Sequence, residues 1–174
     1  AHTSFVVLRV RVTRGPRARV GALDVTGVGP ADRLICLRRV RLRSGQFLRP
    51  GDLRDSREQV AAVFGDRGHA FVRVTVLRRL HPGGRLLDLT FRVTPGPVAK
   101  VGAVRIRGAS RTGTQLVRRG ILLRPGDRYH RTRLRRAITR LRRNGAFRRV
   151  TLTERRLGPR RVGLTVTVVE RPSR

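Results

Sequence analysis

Residues 15–27 read GPRARVGALDVTG and residues 96–108 read GPVAKVGAVRIRG, nearly the same phrase 81 positions apart. Each opens on a Gly-Pro turn signal, passes a basic residue and a Val-Gly pair, and runs through alternating apolar positions to a glycine. That is a strand entered and left by turns, written twice. The same offset carries Gly45 onto Gly126 and Leu53 onto Leu134; after a four-residue difference in spacing Phe64 meets Leu141 and Gly68 meets Gly145. A unit of about 80 residues is longer than the roughly 20–50-residue period of solenoids and can hold a modest core of its own. The chain therefore reads as two tandem domains, 15–95 and 96–174, joined by the stiff Pro95-Gly96-Pro97.

In the first unit Val20, Leu23 and Val25 form an opening strand, and ADRLICLRRVRLR (31–43) a short helix. Asp52 reads as the N-cap of a second helix, with Leu53, Val60, Ala61 and Phe64 on one face and Gly68 at its end. Val72, Val74 and Val76 alternate with Arg73 and Thr75 and run on to Leu77. After the turn His81-Pro82-Gly83-Gly84, Leu87, Leu89, Phe91 and Val93 alternate in the same way, giving a hairpin with one buried face. The second unit repeats the order. Val104 and Ile106 open it, Thr114–Arg119 form a short helix, and Leu134, Ala137, Ile138 and Leu141 make a helical stripe that stops at Asn144-Gly145. Val150 and Leu152, interleaved with Thr151 and Thr153, lead through Leu157-Gly158-Pro159-Arg160 into Val162, Leu164, Val166 and Val168. The pattern is β-α-α-β-β, twice, an α+β architecture with two helices covering one face of a three-stranded sheet.

Charge bounds the partners. Forty-two Lys plus Arg face ten Asp plus Glu, for a formal charge of +32, and Lys100 is the one lysine. Residues 1–95 hold 19 basic and 7 acidic side chains, residues 96–174 hold 23 and 3. Apolar residues at 39% in clear periodicity argue for folded domains rather than disorder. Nothing approaches the roughly 18 apolar residues of a membrane helix, and no charged-apolar-cleavable leader opens the chain. Cys36, among Leu34, Ile35 and Leu37, is a small buried hydrophobe. His69 near Asp66 and His130 beside Tyr129 lack a nucleophile and a third orienting group, which points away from catalysis. Metal-ligand spacing is missing from the four histidines, and Gly45 and Gly126 are turn glycines without a following Lys-Ser/Thr, so no cofactor is expected. In HRTRLRRAITRLRR (130–143), like charges three and four apart cost a few tenths of a kcal/mol per pair. An anionic lipid surface would offset that cost through Arg131, Arg135, Arg142 and Arg143; a solvated face or an arginine-rich codon bias produces the same run. Specific nucleic-acid binding is not expected, since basic and aromatic residues do not interleave.

The ordered set resembles the POTRA domain, the periplasmic module of outer-membrane β-barrel assembly proteins. VGAVRIRGASRTGTQLVRRGILLRPGDRYHRTRLRRAITRLRRNGAFRRVTL (101–152) is similar to the family's strand, Gly-Asn-x-Arg-Thr, paired arginines, Gly-Asp-x-Tyr and leucine-rich helix before Gly-x-Phe. GDLRDSREQVAAVFGDRGHAFVRV (51–74) is similar to its helix running into Gly-Tyr-Ala-Phe. The order of the two variants, closed by VVERP, resembles the fourth and fifth, barrel-proximal POTRA domains. FVVLRVRVTRGP (5–16) then resembles the last strand of a preceding domain, expected over 1–14 of a fragment cut from a longer protein. Departures are Ser110 for Asn, His69 and Ala146 for Tyr, and Pro125 for an acidic residue, the last of which weakens the carry-over of the family's accessory-lipoprotein docking at that loop. The resemblance implies a mixed three-stranded sheet in each unit with the middle strand at its edge. It also implies a non-enzymatic scaffold on the periplasmic side of the outer membrane, anchored by a C-terminal barrel. Its partners would be unfolded outer-membrane proteins, accessory lipoproteins and that barrel. Clients would pair by β-augmentation with Val72, Arg73, Val74, Thr75, Val76 and Leu77, and with Val150, Thr151, Leu152 and Thr153. Transporters of two-partner secretion or autotransporter assembly share the module; a basic nucleic-acid-binding protein is the alternative from another class.

Overall fold

Strand β1 (Arg19–Thr26), helices α1 (Pro30–Arg39) and α2 (Pro50–Gly65), and strands β2 (Arg73–Leu80) and β3 (Leu86–Thr94) make the first unit of the computed structural model. Strand β4 (Lys100–Arg107), helices α3 (Arg111–Gly120) and α4 (Arg131–Arg143), and strands β5 (Phe147–Gly158) and β6 (Arg161–Glu170) make the second. The structure describes residue 9 and residues 17–171; the strand expected over 1–14 falls, apart from Arg9, outside the described residues. Each unit has one three-stranded mixed sheet, ordered β1-β3-β2 and β4-β6-β5, in which the last strand runs parallel to the first and antiparallel to the middle one. Val20, Val25, Leu89, Phe91 and Val93 from the first sheet meet Cys36, Val60 and Phe64 from its helices. Val101, Val162, Leu164, Val166 and Val168 meet Val117, Leu134, Ile138 and Leu141 in the second. Full burial of each such side chain contributes about 1.5–3 kcal/mol.

The repeated phrase has a physical cause. Val20 N–H donates to Gln46 O and Val101 N–H to Asp127 O, both at 2.8 Å; Gly45 N–H donates to Val20 O and Gly126 N–H to Val101 O, both at 2.7 Å. The two turn glycines therefore tie the loop before the long helix to the opening strand, at the same offset in both units. Their positive φ values, 83° and 95°, are those that glycine accepts without strain. The Val-Gly pair marks an irregularity in both parallel ladders, between Val20 and Leu23 and between Val101 and Ala103.

Two local expectations are corrected. The first helix ends at Arg39, because Val40 and Leu42 turn inward and Arg41 and Arg43 outward. That period of two is extended chain, and burial of both apolar residues overrides helical continuation. Asp52 is not the N-cap of α2. Arg49 holds that place, Pro50 takes the first helical position that its fixed φ suits, and Asp52 accepts the Arg49 N–H at 3.0 Å from three residues inside.

Candidate functional site

Strands β2 and β5, which carry the residues expected to receive a client, lie at the free edges of their sheets. Residues of an antiparallel strand alternate between bonding their opposite number and turning their backbone groups away. Arg171 N–H donates to Ala146 O at 3.0 Å. Residues 171, 169 and 167 of this ladder thus face β5, while 168 and 166 face away. Val150 and Leu152 lie opposite Val168 and Val166, so their own N–H and C=O groups point to the open edge. Val74 holds the same place in the first unit. It is opposite Val93, next to Arg92, which pairs with Thr26 and Thr75 as Thr167 pairs with Arg107 and Thr151.

A groove runs beside each edge. The one along Val74, Thr75 and Val76 has a volume of about 790 Å³ and is walled by Leu48, Arg49, Leu53, Arg54 and Arg57, with Arg78 at its end. Its counterpart along Thr151, Leu152, Thr153 and Glu154, about 740 Å³, is walled by Arg131, Arg135, Ile138, Thr139 and Arg142. Apolar patches with cationic rims suit an extended peptide whose alternate side chains are apolar, with backbone pairing to the strand and specificity from the wall. The half-buried Val72 and the exposed Arg73 and Leu77 extend the first edge at its two ends.

At the base of the second edge Tyr129 is fully buried and donates its hydroxyl to Glu154 at 2.7 Å. Burial, and then the charge and hydrogen bond of Glu154, push this phenol well above its ordinary range, so it remains a donor at any physiological pH. Tyr129→Phe should lower the stability of the second unit by about 0.5–1.5 kcal/mol, read by urea denaturation followed by circular dichroism. No loss would mean that the bond to Glu154 contributes nothing net.

Of the four α4 arginines expected at an anionic surface, three are committed to protein. Glu58 on α2 accepts from Arg131 at 2.9 Å and also from Arg135. Burial pulls the Glu58 carboxyl upward, but the hydrogen bond and charge of Arg131, with the charges of Arg135 and Arg57, outweigh it and hold the pKa below the ordinary glutamate value. Asp66, the first residue past the end of α2, accepts from both Thr132 N–H and Thr132 Oγ1–H at 2.7 Å, capping α4 from the other unit. Ala99 N–H donates to Gly68 O at 2.9 Å, Arg128 donates to Arg67 O, and Ala70 and Phe71 pack into the core of the second unit. Arg142 donates to the Val150 carbonyl, and Arg143 is exposed. The sequence reading missed this junction. Its available signal was that four of the ten carboxylates fall between 52 and 66, whereas α4 has none.

Residues 99–171 match the family model described as POTRA, surface antigen variable number repeat. They are a POTRA domain. Over 97% of its length the chain is 28% identical to the outer membrane protein assembly factor BamA of Neorickettsia risticii (strain Illinois), of which it spans 23%. Among solved structures it is similar to POTRA3–5 of Haemophilus influenzae BamA, with a TM-score of 0.68 and 20% identity over 88% of this chain and 61% of that one. It is also similar to BamA of Haemophilus ducreyi lacking POTRA domains 1–3, with a TM-score of 0.63 and 20% identity over 88% and 29% of the two chains. At such identity the likeness is one of fold, and its coverage takes in both units, so the first shares the architecture of the POTRA domain beside it. Among the described residues no helix is long and apolar enough to cross a membrane.

Proposed function

We propose that the chain is a tandem POTRA module, domains 15–95 and 96–174, of a BamA-type outer-membrane assembly factor. Its place is the periplasm beside a membrane barrel. It acts there as a non-enzymatic scaffold that receives unfolded outer-membrane proteins by β-augmentation and delivers them to the barrel. The observation carrying this reading is the paired free edges, each with outward backbone groups above a groove of apolar floor and basic rim. Backbone pairing ignores sequence, which suits a receptor of many clients. Of the four arginines expected at an anionic surface, we assign headgroup contact to the exposed Arg143, the others being held by Glu58 and Val150.

Proline at Val74 removes an outward donor and no native ladder bond, and edge strands tolerate it. Val74→Pro should weaken binding of a peptide copied from an outer-membrane barrel strand about tenfold, while Val74→Thr changes it less than twofold. Equal affinity of the proline variant and the parent, by fluorescence titration, would remove β2 from the reading. A reproducible preference among DNA sequences at about 0.2 M salt, where uniform polyanion attraction fades, would favour a nucleic-acid reader instead.

A further inference from the structure

The two edges are not equally open. Arg142, in the last turn of α4, donates its Nε at 3.1 Å and its Nη2 at 2.9 Å to the carbonyl of Val150. That oxygen is an outward acceptor of β5, the one an added strand would use. A guanidinium giving two hydrogen bonds to one acceptor is a stronger competitor than water. In the first unit the repeat places Gly65 where Arg142 stands, one residue after Phe64 as Arg142 follows Leu141. No side chain exists there to reach Val74. The glycine is also held by the junction, because a Cβ at Gly65 would lie 2.7 Å from Cβ of Arg131, tighter than side chains tolerate. The packing that fixes the two units together thus keeps a latch off the first edge.

We propose that Arg142 determines which edge takes the client strand, latching β5 and leaving β2 as the open receptor. This rests on the strand-addition reading. The test titrates the isotope-labelled chain with a barrel-strand peptide and reads amide shifts of residues 72–77 and 150–153 separately. In the parent the peptide should bind at β2, with β5 responding only at much higher concentration. Arg142→Ala should tighten binding at β5 about tenfold and leave β2 unchanged, whereas Arg142→Lys, which restores a cationic donor, should stay near the parent. If Arg142→Ala disturbs the fold, Arg142→Met removes every donor while keeping a long side chain, and the same tightening is expected. Unchanged β5 affinity in these variants, with β2 binding intact, overturns the latch and leaves strand addition standing. Absence of binding at both edges in every variant overturns both.

Discussion

Gly108→Ala should unfold the second unit far more readily than the parent, by about 2–5 kcal/mol. A left-handed conformation costs a side chain about 1–2 kcal/mol and overpacking about 1–3. Gly108 has φ of 73°, and a Cβ there would fall within contact of the Val168 carbonyl oxygen on β6, which is backbone and cannot swing aside. Gly27 stands against Val93 O with φ of 83° in the same way. A loss of this size is a large part of the roughly 5–15 kcal/mol that holds a domain together. Urea denaturation followed by residue-resolved NMR should show amides of 100–170 melting at lower denaturant. An unchanged midpoint would contradict the placement of this glycine against β6.

Glu58→Ala should loosen the relation of the two units while each remains folded. The change strands Arg131, whose side chain is 19% exposed, and releases Arg135. A charged hydrogen bond of this kind contributes about 1.5–3 kcal/mol. Acid should act the same way. Because the folded-state pKa of Glu58 is depressed, its contribution is complete above the unfolded value of about 4.3 and is lost as pH falls through the lower folded value. Residual dipolar couplings should fit one alignment tensor for the parent at neutral pH, and two for the variant at neutral pH and for the parent once the pH has fallen through the folded value. A single tensor throughout would assign the junction to its other contacts, those of Asp66, Arg67, Gly68, Ala70 and Phe71.

The fold was largely legible because its information is local. Turn glycines repeat at fixed offset, Val162 to Val168 alternate strictly, and Leu134, Ala137, Ile138 and Leu141 fall on one helical face, all within short windows. The helical reading of 40–43 failed where two buried side chains decided between periods, and Asp52 was displaced as a cap by a proline two residues earlier. The edge positions of Val72–Leu77 and Val150–Thr153 followed from the family resemblance, and the structure supplies which backbone groups face outward. The junction and the Arg142 latch were hidden for physical reasons. Glu58 and Arg131 are 73 residues apart, and arginine is so abundant here that the cations bound to protein look the same in sequence as the solvated ones.

On the proposed function, a client segment becomes the fourth strand of the first sheet. Half-filtered nuclear Overhauser measurements on the labelled chain, mixed with unlabelled barrel-strand peptide, test it most directly. Cross-strand contacts are expected between backbone protons of the peptide and those of Val74 and Val76, together with slowed exchange of the Val74 amide. Contacts confined to helix side chains, with the Val74 amide exchanging as fast as in the free protein, would contradict it.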